Sequence, residues 1–235
     1  MFTASAEFYD LIYSTFKDYE NEATQIASVL RHRNASCKTV LDVACGTGEH
    51  ARLLAAAGFV VDGLDIDAAF VRIARRKHSA GQIYEADMSD FNLSRLYDAV
   101  TCLFSSIGYL RTLDRVAGAL ACFRKHLAPG GVILVEPWFA PGVLEPARVA
   151  RNTGEANGVR VTRVSRVEVD GRVSRLLFDY EVTDRTGTRH FSEVHELGLF
   201  TTPELLAAFG SAGLEVDYDP NGLTDRGLYV ARVAA

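Results

Sequence analysis

Short apolar runs alternate with amphipathic stretches along the first part of this chain, and the two patterns predict different elements. The apolar runs predict strands over residues 39–43, 59–64, 81–86, 97–103 and 131–136. The amphipathic stretches predict helices over residues 48–57, 67–77 and 112–127. Strands that alternate with helices at this spacing are typical of a parallel sheet covered by helices on both faces. The pattern therefore predicts an α/β core of the doubly wound type.

The pattern changes after Pro137. Three long segments rich in Val, Thr, Arg and aromatic residues follow, over residues 158–170, 172–183 and 188–200. The sequences Asp170-Gly171 and Arg185-Thr186-Gly187 separate them, and both are typical of hairpin turns. We therefore expect an inserted antiparallel β-sheet. A helix over residues 202–211 and strands over 214–218 and 227–233 then complete a seven-stranded core sheet.

The N-terminal residues 7–33 carry apolar positions at helical spacing, with a break near residues 14–18. We expect them to form a helical cap. The length of the chain suits one domain over residues 1–235. Its predicted parts are an N-terminal cap (1–36), a Rossmann-like core (37–137 and 201–235) and an antiparallel β insertion (138–200).

Composition narrows the class of partner. Hydrophobic residues make up 48% of the chain and charged residues 23%, as in an ordinary globular protein. The net charge of −5 argues against nucleic acid as the main partner and favours a small-molecule substrate. No apolar run approaches the roughly 20 residues of a membrane span, so no membrane partner is expected.

The four cysteines are scattered without a CxxC pair, which predicts buried thiols and a cytoplasmic location. No cluster of His, Cys and Asp has the spacing of metal ligands, so no metal is expected.

The segment from Val40 to His50 carries the strongest functional signal, because an apolar run ends there in an acid and two glycines. Gly46 and Gly48 can adopt backbone angles that a Cβ forbids, and they let main-chain N–H groups approach a ligand. The spacing fits the looser dinucleotide fingerprint, with Asp65 roughly 20 residues further on. Such a turn serves NAD, S-adenosylmethionine or no ligand at all.

Acidic residues follow three successive predicted strands, and they favour one of these ligands. Asp42 precedes the glycine turn, where a carboxylate suits a cationic methionine group and would repel a pyrophosphate. Asp65 and Asp87 stand at the next two strand ends, which meet at one edge of a parallel sheet. We expect Asp65 to accept from ribose hydroxyls and Asp87 from an adenine amino group, with Met88 packed on the ring. Each acid alone could instead cap the next helix.

These motifs resemble motifs I, II and III of the class I S-adenosylmethionine-dependent methyltransferases: the DVACGTG turn, Gly63-Leu64-Asp65 and Ala86-Asp87-Met88. Segments at residues 104–110, 135–138, 189–200 and 226–228 further resemble the dTDP-3-amino-sugar N,N-dimethyltransferases of macrolide biosynthesis. The resemblance implies the Rossmann-like seven-stranded methyltransferase sheet and S-adenosylmethionine as cofactor, with S-adenosylhomocysteine as product. It also implies two methylations of the 3-amino group of a dTDP-3-amino-3,6-dideoxyhexose.

Residue by residue, the resemblance implies a cofactor set and a substrate set. The cofactor set is Tyr9, Tyr19, Asp42, Ala44, Gly46, Gly48, Asp65, Ile66, Asp87, Met88 and Phe104. The substrate set is Tyr109, Glu136, Trp138, Arg163 and Arg226, with Tyr109 beside the reacting amine and the two arginines on the pyrophosphate. Arginine suits that role because its planar fork pairs with phosphate oxygens. Arg163 points away from Arg160 and Arg166 on its strand.

A sulfonium methyl group is already activated, so alignment of the amine at about 3–3.5 Å supplies most of the catalysis. Tyr109, the candidate catalytic residue, or Glu136 or water can take the proton that blocks the amine lone pair, so no dedicated base is required. A lone His195 on a strand is more typical of packing than of chemistry. The alternatives are a methyltransferase for another small amine or hydroxyl group, an NAD-binding oxidoreductase, and a non-catalytic S-adenosylmethionine-binding protein. A homodimer is compatible with the sequence.

Overall fold

Eleven β-strands and six α-helices make up the part of the chain that the computed structural model describes, residues 4–146 and 148–234. The helices are α1 (Tyr9–Tyr13), α2 (Tyr19–Arg33), α3 (Glu49–Ala56), α4 (Ala68–Lys77), α5 (Leu113–Lys125) and α6 (Thr202–Ser211). The strands are β1 (Thr39–Val43), β2 (Val60–Asp65), β3 (Ile83–Glu85), β4 (Tyr97–Cys102), β5 (Leu127–Val135), β6 (Val149–Ala156), β7 (Val159–Asp170), β8 (Val173–Asp184), β9 (Gly187–Gly198), β10 (Leu214–Asp219) and β11 (Leu228–Val233). Short 3-10 helices span Ala6–Phe8 and Ser106–Leu110.

Seven strands form the core sheet, in the order β10-β11-β5-β4-β1-β2-β3. Strands β1 to β5 are parallel, whereas β11 is antiparallel to both of its neighbours. From β1 the chain winds outward through β2 and β3 on one side and through β4 and β5 on the other. The order therefore reverses between β1 and β4, and ligands of doubly wound sheets bind beyond the carboxyl ends of the strands at such a point. The predicted fold class is confirmed.

Apolar residues bury both faces of the core sheet. Val40 and Leu41 are neighbours in β1 and both are 0% exposed, yet they belong to opposite faces because strand side chains alternate. Leu41 packs in the layer that contains α5 and α6, and Val40 packs in the layer that contains α2 and α3. This sandwich holds the carboxyl ends of β1 and β4 in a fixed position. No helix of the described residues is long and apolar enough to cross a membrane.

The insertion forms a separate antiparallel sheet in the order β6-β7-β8-β9. The three predicted strands correspond to β7, β8 and β9, and the two hairpin turns fall between them as expected. Strand β6 was not predicted, because most of its side chains are exposed and no apolar alternation marks it. It pairs with β7 along its whole length. At Gly154 of this strand, a Cβ would meet the Leu11 backbone oxygen at 2.4 Å, so glycine lets α1 approach the sheet.

The N-terminal cap is fixed to the core by a polar tether. The side chain of Asp18 accepts from the Asn21 N–H at 2.9 Å and begins α2, which follows the predicted break. In α1, Asp10 accepts from the Thr47 hydroxyl at 2.6 Å and pairs with Lys77 of α4 at 2.6 Å. The tether thus joins α1 to the glycine turn and to α4. The single-domain bounds given above stay a prediction.

Candidate active site

Two adjoining cavities form a crevice at the carboxyl ends of β1, β2 and β4, and Ala44 lines both. The first cavity is lined by Tyr9, Tyr19, Asp42, Ala44, Cys45, Gly46, Thr47, Glu49, His50, Leu103, Phe104 and Ser106. The second is lined by Ala44, Leu64, Asp65, Ile66, Ala86, Asp87, Met88, Tyr109, Leu110 and Arg115. The structure therefore gathers ten of the eleven predicted cofactor residues in one crevice; Gly48 lines neither cavity.

The turn needs glycine at positions 46 and 48 for different structural reasons. Gly46 has φ +56°, and a Cβ added there would meet nothing within 4 Å. Its open side lies in the first cavity, where a ligand can approach the main chain. Gly48 has φ +78°, and its Cβ would meet the Ala74 Cβ at 3.1 Å. Gly48 therefore permits close packing between the turn and α4, a role that differs from the predicted cofactor contact.

The three acids at the strand ends have different environments. Asp42 is 2% exposed and accepts from the Thr101 hydroxyl at 2.9 Å, and burial raises its pKa. Asp65 accepts from the N–H of Asp67 at 2.9 Å and of Gly46 at 2.8 Å, yet burial raises its pKa to about 6. The crevice thus has one buried carboxylate ahead of the glycine turn and another that is hydrogen-bonded to Gly46 within it.

Asp87 is the most open of the three acids. One of its oxygens accepts from the Ser89 N–H at 2.8 Å and the Ser89 hydroxyl at 2.7 Å. The other lies 3.4 Å from Arg115. Burial alone would raise its pKa, but these bonds from Ser89 outweigh it and hold the pKa below its usual value. Asp87 is therefore an ionised acceptor at neutral pH.

Aromatic rings from the cap cover the first cavity. The rings of Tyr9 and Tyr13 stack with centroids 4.1 Å apart, and Tyr13 meets Phe104 edge to face at 5.4 Å. Burial raises the pKa of Tyr9 and of Tyr19 above the usual value, so both hydroxyls stay protonated donors. The cap supplies an apolar wall with hydroxyl groups, which suits a ligand that is partly apolar and partly charged.

A buried ionic cluster beside this wall was missed by the sequence reasoning. Lys17 pairs with Glu22, and their side chains are only 3% and 5% exposed. His50 Nε2 lies 2.9 Å from Glu22 Oε2, an oxygen that also pairs with Lys17, and Lys17 Nζ lies 3.9 Å from the centre of the Phe104 ring. Burial lowers the pKa of Lys17 despite Glu22. These residues come from the break before α2, from α2 and from α3, so no local pattern could have joined them.

Two of the predicted substrate residues, Glu136 and Arg226, form a pair. Glu136 is 0% exposed and accepts from the Phe104 N–H at 2.6 Å, from Thr224 and from Arg226 Nη2 at 3.4 Å. The structure therefore places Glu136 in a hydrogen-bonded pair with Arg226. Trp138 donates from Nε1 to the Ser174 hydroxyl at 2.8 Å and so joins the segment after β5 to the four-stranded sheet.

Arg163 is buried between aromatic rings, whereas Arg160 and Arg166 on the opposite face are exposed, as the alternation predicted. Its guanidinium carbon lies 4.7 Å from the Tyr13 ring centre and 4.6 Å from that of Phe178. Nη2 donates to the Asn152 side chain at 3.4 Å. Nε and Nη1 have no hydrogen-bond partner among the described residues, which is unusual for a buried arginine and fits an anion.

Tyr109 connects the second cavity to the inserted sheet. Its ring lines the cavity, and its hydroxyl lies 3.1 Å from Nδ1 of His195 in β9. Among the described residues, no group of three or more His, Cys, Asp or Glu side chains could hold a metal ion.

Comparison with known proteins agrees with this geometry. Residues 40–131 match the family model described as a methyltransferase domain. The chain is 42% identical over 227 residues to dTDP-3-amino-3,6-dideoxy-alpha-D-glucopyranose N,N-dimethyltransferase of Streptomyces fradiae, with 95% of this chain and 89% of that protein covered.

Two solved structures are also similar over nearly the whole chain. DesVI of Streptomyces venezuelae superposes with a TM-score of 0.92 at 39% identity, covering 98% of each chain. CalS10, an amino pentose methyltransferase of Micromonospora echinaspora solved with S-adenosylmethionine bound, gives a TM-score of 0.83 at 38% identity and 92% coverage of each chain. These matches set aside the NAD-binding alternative. The chain belongs to the class I S-adenosylmethionine-dependent methyltransferases, in the family that includes these sugar N-methyltransferases.

Proposed function

We propose that this methyltransferase transfers two methyl groups to the 3-amino group of a dTDP-3-amino-3,6-dideoxyhexose in antibiotic sugar biosynthesis. The observation that carries the proposal is the match of 95% of the chain, including the inserted sheet, to a relative named for that substrate. The inserted sheet matters because it carries His195, which lies 3.1 Å from the hydroxyl of the crevice residue Tyr109, and Arg163, which packs on Tyr13 of the cap.

The residues of the first cavity suit the amino-acid end of S-adenosylmethionine. Buried Asp42, which accepts from the Thr101 hydroxyl, can pair with the ammonium group of the cofactor. The open side of Gly46 leaves room for the main chain to contact the cofactor. In the second cavity Asp65 and Asp87 would accept from the ribose and the adenine, beside Ile66 and Met88. The bound cofactor supplies a methyl group that its sulfonium already activates.

The substrate would enter against Tyr109. Arg226 and Arg163 are the cations that we assign to the pyrophosphate, because fork-shaped guanidinium groups pair with phosphate oxygens. Glu136 then acts on the substrate through Arg226, whose position it fixes at 3.4 Å. Alignment of the amine by these groups supplies most of the rate. The four free thiols support a cytoplasmic location, and the net charge of −5 supports the absence of a nucleic-acid partner. A homodimer and the absence of a membrane partner complete the proposal.

Mass spectrometry of the products tests the acceptor. The enzyme and S-adenosylmethionine are incubated with dTDP-3-amino-3,6-dideoxyglucose, its 4-amino isomer and the matched sugar with a hydroxyl in place of the amine. We expect a gain of two methyl masses on the 3-amino sugar and none on the hydroxyl control. A gain on the hydroxyl sugar alone would favour the alternative of another acceptor, and no gain on any sugar would overturn the proposal.

A further inference from the structure

The imidazole of His195 occupies a position that the methyl-transfer step alone does not explain. It is 1% exposed, and its Nδ1 lies 3.1 Å from the Tyr109 hydroxyl, whose ring lines the second cavity. On the opposite side of the ring, Nε2 lies 3.5 Å from Oε2 of Glu193. Tyr109, His195 and Glu193 thus form a continuous polar chain that leads from the crevice into the inserted sheet.

Glu193 is held firmly at the far end of this chain. It accepts from the Ser5 hydroxyl at 2.7 Å, from the Ser5 N–H at 3.0 Å and from the Ala4 N–H at 3.1 Å. Burial raises the pKa of Glu193, but the His195 imidazole beside it and the hydrogen bonds from Ser5 outweigh burial and lower the pKa below the usual value. A fixed carboxylate beside Nε2 favours the tautomer with its proton on Nε2, which leaves Nδ1 free to accept from Tyr109.

The groups around His195 come from four elements. Tyr109 faces it from the 3-10 helix Ser106–Leu110, Phe178 from β8 at 5.1 Å between ring centres, and Glu193 from its own strand. The charge of Arg163 in β7 also acts on it. Burial lowers the pKa of His195 more than Glu193 raises it, so the ring is neutral near pH 7 and able to take up a proton.

We propose that Tyr109, His195 and Glu193 form a proton relay that removes the proton from the acceptor ammonium group before each methyl transfer. This inference rests on the proposed function. An aliphatic amine is largely protonated near pH 7, and its lone pair is then blocked. The demand returns after the first transfer, because the methylated nitrogen again carries a positive charge and must lose a proton before it can accept a second methyl group.

Each proton is accounted for in the relay. The ammonium N–H bond breaks as its proton moves to the Tyr109 oxygen, while the Tyr109 hydroxyl proton moves to His195 Nδ1. Tyr109 is neutral again, and the imidazolium faces Glu193. The free amine nitrogen then bonds to the methyl carbon as the carbon–sulfur bond breaks. The imidazolium returns its proton to water when the site opens for cofactor exchange, which must occur between the two transfers. His195 acts only through Tyr109, so it is a positioning and proton-accepting residue behind the substrate contact.

The variant His195→Asn separates the relay from simple packing. Its amide oxygen can sit where Nδ1 was and accept from Tyr109, but it cannot take up a proton. Rates on dTDP-3-amino-3,6-dideoxyglucose are measured from about pH 6.5 to about pH 9.5, where the amine is increasingly free. At the high end we expect a rate within about threefold of wild type, and near pH 7 a loss of about 100-fold, the lower end of the range for general acid–base catalysis. Near pH 7, the rate of Glu193→Gln should fall between those of wild type and His195→Asn.

His190→Asn is the matched control, because His190 is an exposed histidine on the same strand. We expect its pH profile to equal that of wild type. An equal loss for His195→Asn at every pH would mean a structural role and would overturn the relay, as would no loss at any pH.

A second readout needs no substrate. In the complex with S-adenosylhomocysteine, nitrogen NMR of the histidine rings reports the tautomer of His195. We expect a neutral ring with its proton on Nε2 near pH 7, and a changed titration in Tyr109→Phe. A ring protonated on Nδ1 at that pH overturns the relay. If wild type methylates none of the sugars, the proposed function fails and the NMR result alone decides the relay.

Discussion

The N–H of Gly46 donates to Asp65 Oδ2 at 2.8 Å, so the glycine turn after β1 is bonded directly to the acid at the end of β2. Burial raises the pKa of this acid to about 6. If ribose hydroxyls donate to Asp65, they favour its ionised form, and binding lowers its pKa. Cofactor affinity is then lost as the pH falls through about 6 in the free enzyme, by up to about tenfold per pH unit.

The first prediction is that S-adenosylhomocysteine binds about 10-fold more weakly at pH 5 than at pH 7.5 and releases a proton on binding near pH 6. Calorimetry in two buffers of different ionisation enthalpy measures both quantities. Asp65→Asn should bind weakly with little dependence on pH in this range. A wild-type affinity that is flat between these pH values would argue against the ribose contact, and a residual slope in Asp65→Asn would point to Asp42, whose pKa burial also raises.

The second prediction concerns the tether between cap and turn. Thr47 is 2% exposed and donates to Asp10 at 2.6 Å, and Asp10 also pairs with Lys77 at 2.6 Å. Thr47→Val removes the 2.6 Å bond to Asp10, worth about 1 kcal/mol, together with a longer bond of 3.2 Å that Lys77 donates to the same hydroxyl. It should weaken binding of S-adenosylhomocysteine about fivefold or more, because the closed cap is less populated. Thr186→Val is the matched control: it removes a 2.6 Å bond to Asp184 in the turn between β8 and β9 and should leave the affinity unchanged. Equal affinities in all three proteins would mean that the tether does not control the crevice.

The sequence predicted most of the fold and of the cofactor crevice for one physical reason. The carboxyl ends of parallel strands share an edge, so Asp42 and Asp65 had to lie near each other once β1 and β2 were recognised. Strand β6 was not predicted because its exposed side chains show no apolar alternation, and only its pairing with β7 defines it.

The pattern of apolar and polar positions could not predict contacts between distant segments. Tyr109 and His195 are 86 positions apart, and the packing of the inserted sheet against the core brings them together. The pairing of Glu136 with Arg226, 90 positions away, likewise depends on β11 lying beside β5. Local periodicity carries no information on such pairs, because they are fixed by the tertiary arrangement of elements.

The third prediction is that Tyr109→Phe keeps the fold and slows turnover only modestly at about pH 9, by less than about 10-fold, because alignment supplies most of the rate when the amine is already free. Near pH 7 the loss should be larger, since the variant breaks the path to His195. Stopped assays at both pH values with saturating amino sugar measure the ratio, and circular dichroism checks the fold. Complete loss at the high pH with an intact fold would refute the positional mechanism.

The fourth prediction separates a phosphate ligand from a packed guanidinium group. Arg163→Met keeps a long apolar side chain between Tyr13 and Phe178 but removes two N–H groups that lack partners among the described residues. If Arg163 holds the pyrophosphate, KM for the nucleotide sugar should rise about 10- to 100-fold, the range for hydrogen bonds to charged groups. The affinity for S-adenosylhomocysteine should not change. Arg166→Met, on the exposed face of β7, is the matched control. A lower melting temperature without a change in KM would assign Arg163 to packing alone.

The fifth prediction compares the two glycines of the turn. Both have positive φ, so alanine at either position carries a backbone cost of about 1–2 kcal/mol. Gly48→Ala brings the new methyl group to 3.1 Å from Ala74 Cβ and 3.3 Å from Ala74 Cα, so α4 must shift. Gly46→Ala instead puts its methyl group into the open crevice. We therefore expect Gly48→Ala to lower the melting temperature more, and Gly46→Ala to weaken S-adenosylhomocysteine binding more, by about 10-fold or above at 1.4 kcal/mol per factor of ten.

Gly118→Ala provides the reference for this comparison, because Gly118 lies in α5 with helical backbone angles and open space at its Cβ. It should leave binding unchanged and raise stability slightly, since alanine favours a helix interior by about 0.5–1 kcal/mol. Thermal melts and calorimetry on the three variants give both quantities. If Gly46→Ala and Gly48→Ala lost stability and affinity in the same proportion, the turn would act as one unit, and the division between a ligand-facing and a helix-facing glycine would be wrong.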